Sequence, residues 1–192
     1  MPHTRLIQVL DSLSFMGDVT ERRMFGGYGL YLDGFFFGLI TSEGEFYLKA
    51  DTTNQAQFEK FGSRPFSPFN SKKPMNYWLV ADEVMADSAL LQNLAMRALR
   101  LAQLAAEAKE SPLRKMRNLG EQSVTWLLDV GIQMPSELEK LGAVGAYLAV
   151  KARGHQPSLN LLWALDGAIC NKMWNRLPEE RKAELKAELE AS

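Results

Sequence analysis

The sequence predicts an α+β domain followed by an all-helical one, and three observations carry that prediction. Short aromatic and aliphatic runs broken by glycine turns fill Arg22 to Lys49, as hairpin-linked strands would. A long amphipathic segment opens behind Asp87, with Leu90, Leu91, Leu94, Ala98, Leu101 and Ala105 in one stripe. Beyond Pro112 the pattern holds no convincing strand, only helical segments punctuated by Gly120, Gly131, Gly142 and Gly154. The domain boundary is placed at the Lys109-Glu110-Ser111-Pro112 stretch, giving domains 1–109 and 110–192.

Within the first domain, Leu6, Ile7, Leu10 and Leu13 recur at helical spacing behind Thr4, a good N-cap, and Gly17 with Asp18 supplies the stop. Breaks at Gly26-Gly27, Asp33-Gly34 and Glu43-Gly44 separate the strands, Asp33-Gly34 being the clearest turn. Tyr28, Leu30 and Leu32 share one face of the second strand, so an antiparallel sheet half-covered by helices is expected. Phe35, Phe36 and Phe37 cannot all face one side, which leaves either a subunit interface or cover from nearby chain for the odd one. A short helix capped by Asp51 is expected to reach Phe61, with strands resuming near Phe66 and from Asn76 to Val80 across a Ser71-Lys72-Lys73-Pro74 loop. The tail from Pro178 alternates Glu with Lys and Arg around Leu185 and Leu189, a solvated final helix docked along a narrow stripe.

Composition narrows the function. Of 192 residues 46% are apolar and 23% charged, an ordinary globular balance. Lys and Arg number 22 against 23 Asp and Glu, so the chain lacks the broad basic field of an autonomous nucleic-acid binder, and any DNA contact must be local. One cysteine, Cys170, excludes an internal disulfide and a multi-cysteine zinc site, and a reducing cytoplasm is expected. No apolar run is long enough for a bilayer, and Met1 to Arg5 leads into no signal-peptide core. Cys170, among Leu165, Ile169 and Met173, is expected to be a buried inert thiol, and His155 a loop residue. Gly26-Gly27-Tyr28-Gly29 lacks the Lys-Ser or Lys-Thr of a phosphate loop, and no hydrolase elbow or zinc motif is present. No cofactor, metal or catalysis is expected; the basic pairs Arg22-Arg23 and Lys72-Lys73 are taken as solvated surface.

The most informative stretch is Arg114-Lys115-Met116-Arg117-Asn118-Leu119-Gly120-Glu121, which has the form of a helix-hairpin-helix turn. There a glycine admits a phosphate to the amides of the next helix, and Arg114, Lys115 and Arg117 add charge. Asn118 stands where a fuller signature has another glycine, and Glu121 places negative charge at the expected anion position while also suiting a helix N-terminus. DNA contact and a purely packing or protein-binding hairpin both remain open on these residues. The candidate DNA-contacting set is Arg114, Lys115, Arg117, Asn118, Leu119 and Gly120.

Arg23-Met24-Phe25-Gly26-Gly27-Tyr28-Gly29 and Tyr47-Leu48-Lys49-Ala50-Asp51 resemble the N-terminal domain of the TfoX/Sxy family of bacterial competence regulators. Arg117-Asn118-Leu119-Gly120, Gly131-Ile132, Leu141-Gly142-Ala143-Val144 and the run from Ser158 to Leu165 resemble its second domain, in family order. The resemblance implies a two-layer, secretion-chaperone-like α+β domain and a helix-hairpin-helix-like one. It also implies a cytoplasmic transcriptional coactivator of competence genes, without a cofactor, working with the cyclic-AMP receptor protein and RNA polymerase at promoter DNA. Homodimerisation through the N-terminal domain is expected. The alternative is an adaptor that binds only proteins and serves another regulon such as motility or secretion.

Overall fold

The structure is a computed structural model that describes residues 2–24, 26–68 and 74–192. Phe25, within the motif above, and Ser71, Lys72 and Lys73 of the expected loop lie outside the described residues. Two compact units emerge, Met1–Gln103 and Leu104–Ser192.

The N-terminal unit opens with helix α1 (Pro2–Ser12), which runs on into a 3-10 turn at Ser14–Met16. Thr4 is therefore inside the helix rather than its cap, because Pro2, with φ already fixed near the helical value, serves at the first turn. Five strands follow as an antiparallel meander in the order β1 (Thr20–Met24), β2 (Gly27–Leu32), β3 (Phe35–Ile40), β4 (Phe46–Lys49) and β5 (Tyr77–Leu79). Asp33 and Gly34 both have positive φ, 51° and 82°, as a two-residue hairpin turn of the primed kind requires. Near Phe66 the expected strand is a single bridge, Pro65 to Trp78, flanked by bonds from the Phe66 amide to the Tyr77 carbonyl and from the Leu79 amide to the Arg64 carbonyl.

Alternation places Phe35 and Phe37 on one face and Phe36 on the other, and a bulge follows. Leu32 pairs with Phe35 and Tyr31 with Phe36, but Leu30 pairs with Gly38, so Phe37 is the extra residue. Phe35 and Phe37 both turn to the core, where Leu30, Phe46, Leu48 and Val9 pack with Leu91, Leu94 and Ala98 of the long helix. After the bulge the alternation is reset, so Ile40 faces the core and Leu39 the other side. Phe36 lies between Tyr31 and Tyr77, with ring centroids at 5.2 and 5.0 Å, on an outer face partly covered by Phe66 and Met75 of the same chain. Gly27 makes the sheet possible at one point. A Cβ there would sit 1.9 Å from the Ile40 carbonyl oxygen.

Helix α2 (Gln55–Glu59) is shorter than expected, because Asp51 caps a turn instead of the helix. Its Oδ1 accepts from the Thr53 amide and hydroxyl, while Asn54 Oδ1 accepts from the Asp51 amide. After a short helix, α3 (Asp82–Ala86), Asp87 caps α4 (Ser88–Glu110) as expected, accepting from the amides of Ala89 and Leu90. Arg97 of α4 pairs with Asp51 at 3.2 Å, tying the helix to the end of β4.

The C-terminal unit continues with a 3-10 turn (Pro112–Lys115), α5 (Glu121–Asp129), α6 (Pro135–Ala152), α7 (Leu159–Ile169), a 3-10 turn (Trp174–Arg176) and α8 (Glu179–Glu190), with no strand among its described residues. Gly142, expected at a hairpin or a helix end, breaks α6 from within: φ 77° and ψ 167° divide it into two segments. Leu113, Val124, Leu127, Leu138, Ala146, Val150, Leu162 and Leu165 are fully buried. On α8, Leu185 is buried and Leu189 half-buried; Lys186 pairs with Glu190 on the solvent side, while Lys182 pairs with Glu179 and lies over the Trp163 ring. No helix among the described residues is long and apolar enough to cross a membrane.

Gly27→Ala is expected to destabilise the N-terminal unit by about 3 kcal/mol or prevent its folding, since the contact is with backbone and cannot relax by a rotamer change. Thermal denaturation of the purified variant checks this, and a wild-type melting temperature contradicts it.

Candidate nucleic-acid interface

The turn between the 3-10 helix and α5 is assembled by local hydrogen bonds. Ser111 caps the 3-10 helix by accepting from the Leu113 amide, and Pro112 occupies its first position. Leu113 is buried and anchors the turn beneath the surface, while Arg114 and Lys115 stay exposed. Arg114 Nη1 donates to the Leu119 carbonyl at 3.1 Å, closing the turn on itself. Leu119 is buried at 4% exposure, a second anchor.

Asn118 occupies the left-handed region at φ 67°. Asparagine tolerates that conformation better than other residues with a Cβ, which explains how it stands in for the missing glycine. Its side chain does further work that glycine could not: Nδ2 donates to the Lys172 carbonyl at 2.8 Å, and Oδ1 accepts from the Trp174 amide at 3.2 Å. Beside it, Arg117 Nε donates to Asn171 Oδ1 at 2.6 Å. The turn is thereby fastened to the loop that follows α7.

Gly120 is the N-cap of α5, with φ −81° and ψ 175°, and no side chain caps the helix. The amides of Glu121, Gln122 and Ser123 precede the first helical bond, from the Val124 amide to the Gly120 carbonyl. A Cβ built on Gly120 meets nothing within 4 Å. Neither packing nor backbone conformation requires glycine there, and its effect is to leave the approach to those amides open. Glu121 is exposed in the first turn of α5.

The candidate residues therefore come together as one turn, in which Arg114, Lys115 and Arg117 supply exposed charge, Leu119 an anchor and Gly120 an open helix start. Sequence reasoning missed the loop after α7. Lys172 and Arg176 are exposed there, and neither they nor Arg114, Lys115 and Arg117 join the ion pairs of the described residues.

His155 was also underread. It follows α6 in a loop as expected, yet it is only 3% exposed, stacks on Trp126 and sits 2.9 Å from Asp129 Oδ2, which Arg153 also meets at 3.3 Å. Cys170 departs from expectation in the other direction. It is exposed at the end of α7 because the helix stops there. Partial burial of the sulfur and the neighbouring Asp166 push the thiol up, so it is a poor nucleophile all the same.

In the N-terminal unit a cleft of about 720 Å³ is lined by Met24, Tyr28, Phe66, Glu45, Tyr47 and Arg64, among others. Its polar groups satisfy one another: Tyr47 Oη donates to Glu45 Oε2 at 2.8 Å, and Arg64 pairs with the same carboxylate. Burial, with help from Glu45, pushes the Tyr47 phenol up to about 12.

The TfoX N-terminal domain family matches residues 11–102, and the TfoX C-terminal domain family matches residues 109–189. The chain belongs to the TfoX/Sxy family. Among its relatives, the DNA transformation protein TfoX of Haemophilus influenzae is 27% identical over 186 residues, covering 92% of this chain and 84% of that protein. The DNA transformation protein TfoX1 of Aliivibrio fischeri is 27% identical over 177 residues, with 88% and 84% covered. Protein Sxy of Escherichia coli is 24% identical over 189 residues, with 96% and 90% covered. Both TfoX domains are thus present in order, and the turn at Asn118 lies within the second.

At φ 67° alanine pays the left-handed penalty of roughly 1–2 kcal/mol, whereas glycine avoids it, and both lose the two Asn118 side-chain bonds. Urea unfolding is expected to rank stability as wild type, then Asn118→Gly, then Asn118→Ala. An alanine variant as stable as the glycine one contradicts the strained geometry.

Proposed function

We propose that this TfoX/Sxy family protein is a transcriptional regulator of DNA-uptake genes, a regulatory rather than catalytic protein. It acts as a coactivator with the cyclic-AMP receptor protein, and its C-terminal turn touches promoter DNA backbone. The observation that carries the reading is the tandem match of both TfoX domains, supported by relatives named as DNA transformation proteins that align over most of this chain. The DNA contact is supported by the open start of α5 next to Arg114, Lys115 and Arg117, which are exposed and outside the ion pairs of the described residues. Backbone amides at a helix N-terminus and nearby guanidinium groups are what a phosphate needs, and they read no base sequence.

Charge sets the strength. Residues 110–177 hold eight Lys or Arg against six Asp or Glu, an excess of two. Few phosphates are neutralised, so unaided binding is weak and a DNA-bound partner supplies the rest by raising the effective concentration. The near-neutral chain also favours a second reading, an adaptor that touches only the regulator and polymerase.

Fluorescence anisotropy of a labelled competence-type promoter fragment, with and without cyclic-AMP receptor protein, separates the two. The coactivator reading expects weak, salt-sensitive binding alone and much tighter binding with the partner. Gly120→Ala should weaken the direct binding several-fold while costing no more than about 1 kcal/mol of stability, as a change from one N-cap residue to a poorer one. Full direct binding by Gly120→Ala, or by Arg114→Ala combined with Arg117→Ala, would show that the turn is not the contact surface, whereas no direct binding by the wild type at any salt would leave the adaptor reading standing.

A further inference from the structure

We infer that the DNA-contacting face is built from two chain segments, the turn at 114–120 and the loop after α7. Lys172 and Arg176 are phosphate contacts on it, and Asn118 is the positioning residue that holds the second segment against the first. The inference rests on the DNA contact proposed above and extends it to residues more than fifty positions away in sequence.

The loop after α7 is held closely against the turn. Both polar atoms of the Asn118 side chain are spent on its backbone, at Lys172 O and Trp174 N, and Arg117 reaches Asn171. Gly167 of α7 permits the approach, because a Cβ there would lie 2.7 Å from both Asn118 Nδ2 and Lys172 O. Asn171 turns the chain in the left-handed region at φ 53°, directly before Lys172. The 3-10 turn carrying Arg176 is stiffened where Trp174 stacks on Trp163, with rings 11° from parallel. The loop is thus a fixed platform rather than a loose connection.

The electrostatics point the same way. Arg114, Lys115, Arg117, Lys172 and Arg176 are exposed and outside the described ion pairs. Three of the six carboxylates in residues 110–177 are engaged away from these cations, while Glu110 and Glu139 are exposed. Asp166 on α7 is buried against Arg181 at 2.8 Å, Asp129 meets Arg153 and His155, and Glu137 accepts from the amides of Gln133 and Met134. Glu121 is the exposed carboxylate within the turn itself. Five exposed cations on a backbone fastened by hydrogen bonds, with an open helix start among them, suit the regularly spaced phosphates of duplex DNA.

Salt-dependent anisotropy with the full chain and a labelled promoter duplex tests this. In the Lys172→Ala, Arg176→Ala double variant, the slope of log affinity against log salt should shrink by about 1.8, and affinity should fall for any duplex sequence. Lys186→Ala, on the outer side of α8, should change neither. Asn118→Gly keeps the left-handed turn without strain and completes the glycine signature, yet it should weaken binding because the loop is released. In the double-variant background it should have little further effect. If wild type binds while the double variant keeps its slope and affinity, the two-segment face is wrong although the turn contact stands. If Asn118→Gly weakens binding equally in both backgrounds, the positioning role is wrong. If wild type binds no duplex even at low salt, the DNA-contact reading falls and this inference with it.

Discussion

The C-terminal unit depends on one side chain doing two jobs. Asn118 takes a backbone conformation that glycine would take more readily, and uses its amide to hold a distant loop by two hydrogen bonds. Two hydrogen bonds at about 1 kcal/mol each together exceed the strain of a left-handed turn that asparagine tolerates better than most residues. The asparagine is therefore modestly stabilising, and it also holds the backbone of Lys172 and Trp174 against the turn that carries Arg114, Lys115 and Arg117. The turn, the open start of α5 and the loop then form one structure rather than three.

That organisation matters because the chain as a whole carries almost no net charge. A protein without a long-range basic field cannot be drawn to DNA from afar, and must present its cations locally and without competing carboxylates. Pairing Asp166 and Asp129 internally and using Glu137 to cap α6 removes part of that competition within the C-terminal unit, while Glu121 stays exposed in the turn. On the proposed reading, a small local surface gives weak intrinsic binding and a partner already on the promoter sets the occupancy.

Much of the fold was legible because periodicity and turn chemistry agree. The Asp33-Gly34 hairpin, the Asp87 cap and the change from strands to helices all follow from local rules. The elements misjudged are those decided by geometry that local pattern does not encode. The bulge at Phe37 resets the face alternation of β3, and Asp51 bonds its neighbours in a turn instead of capping a helix. The candidate interface was half legible. Gly120 and the basic run announce themselves in sequence, while Lys172 and Arg176 sit in an ordinary loop whose relevance comes only through Asn118. The asparagine itself was visible as a missing glycine, but its bonds to residues over fifty positions away were not.

Amide hydrogen exchange of the full chain, with and without a promoter duplex, addresses the central claim most directly. The account predicts that DNA slows exchange jointly at the start of α5 and in the loop around 171–176, with both effects fading together as salt rises. Protection confined to the N-terminal unit, or to neither segment under conditions where the complex forms, would contradict it.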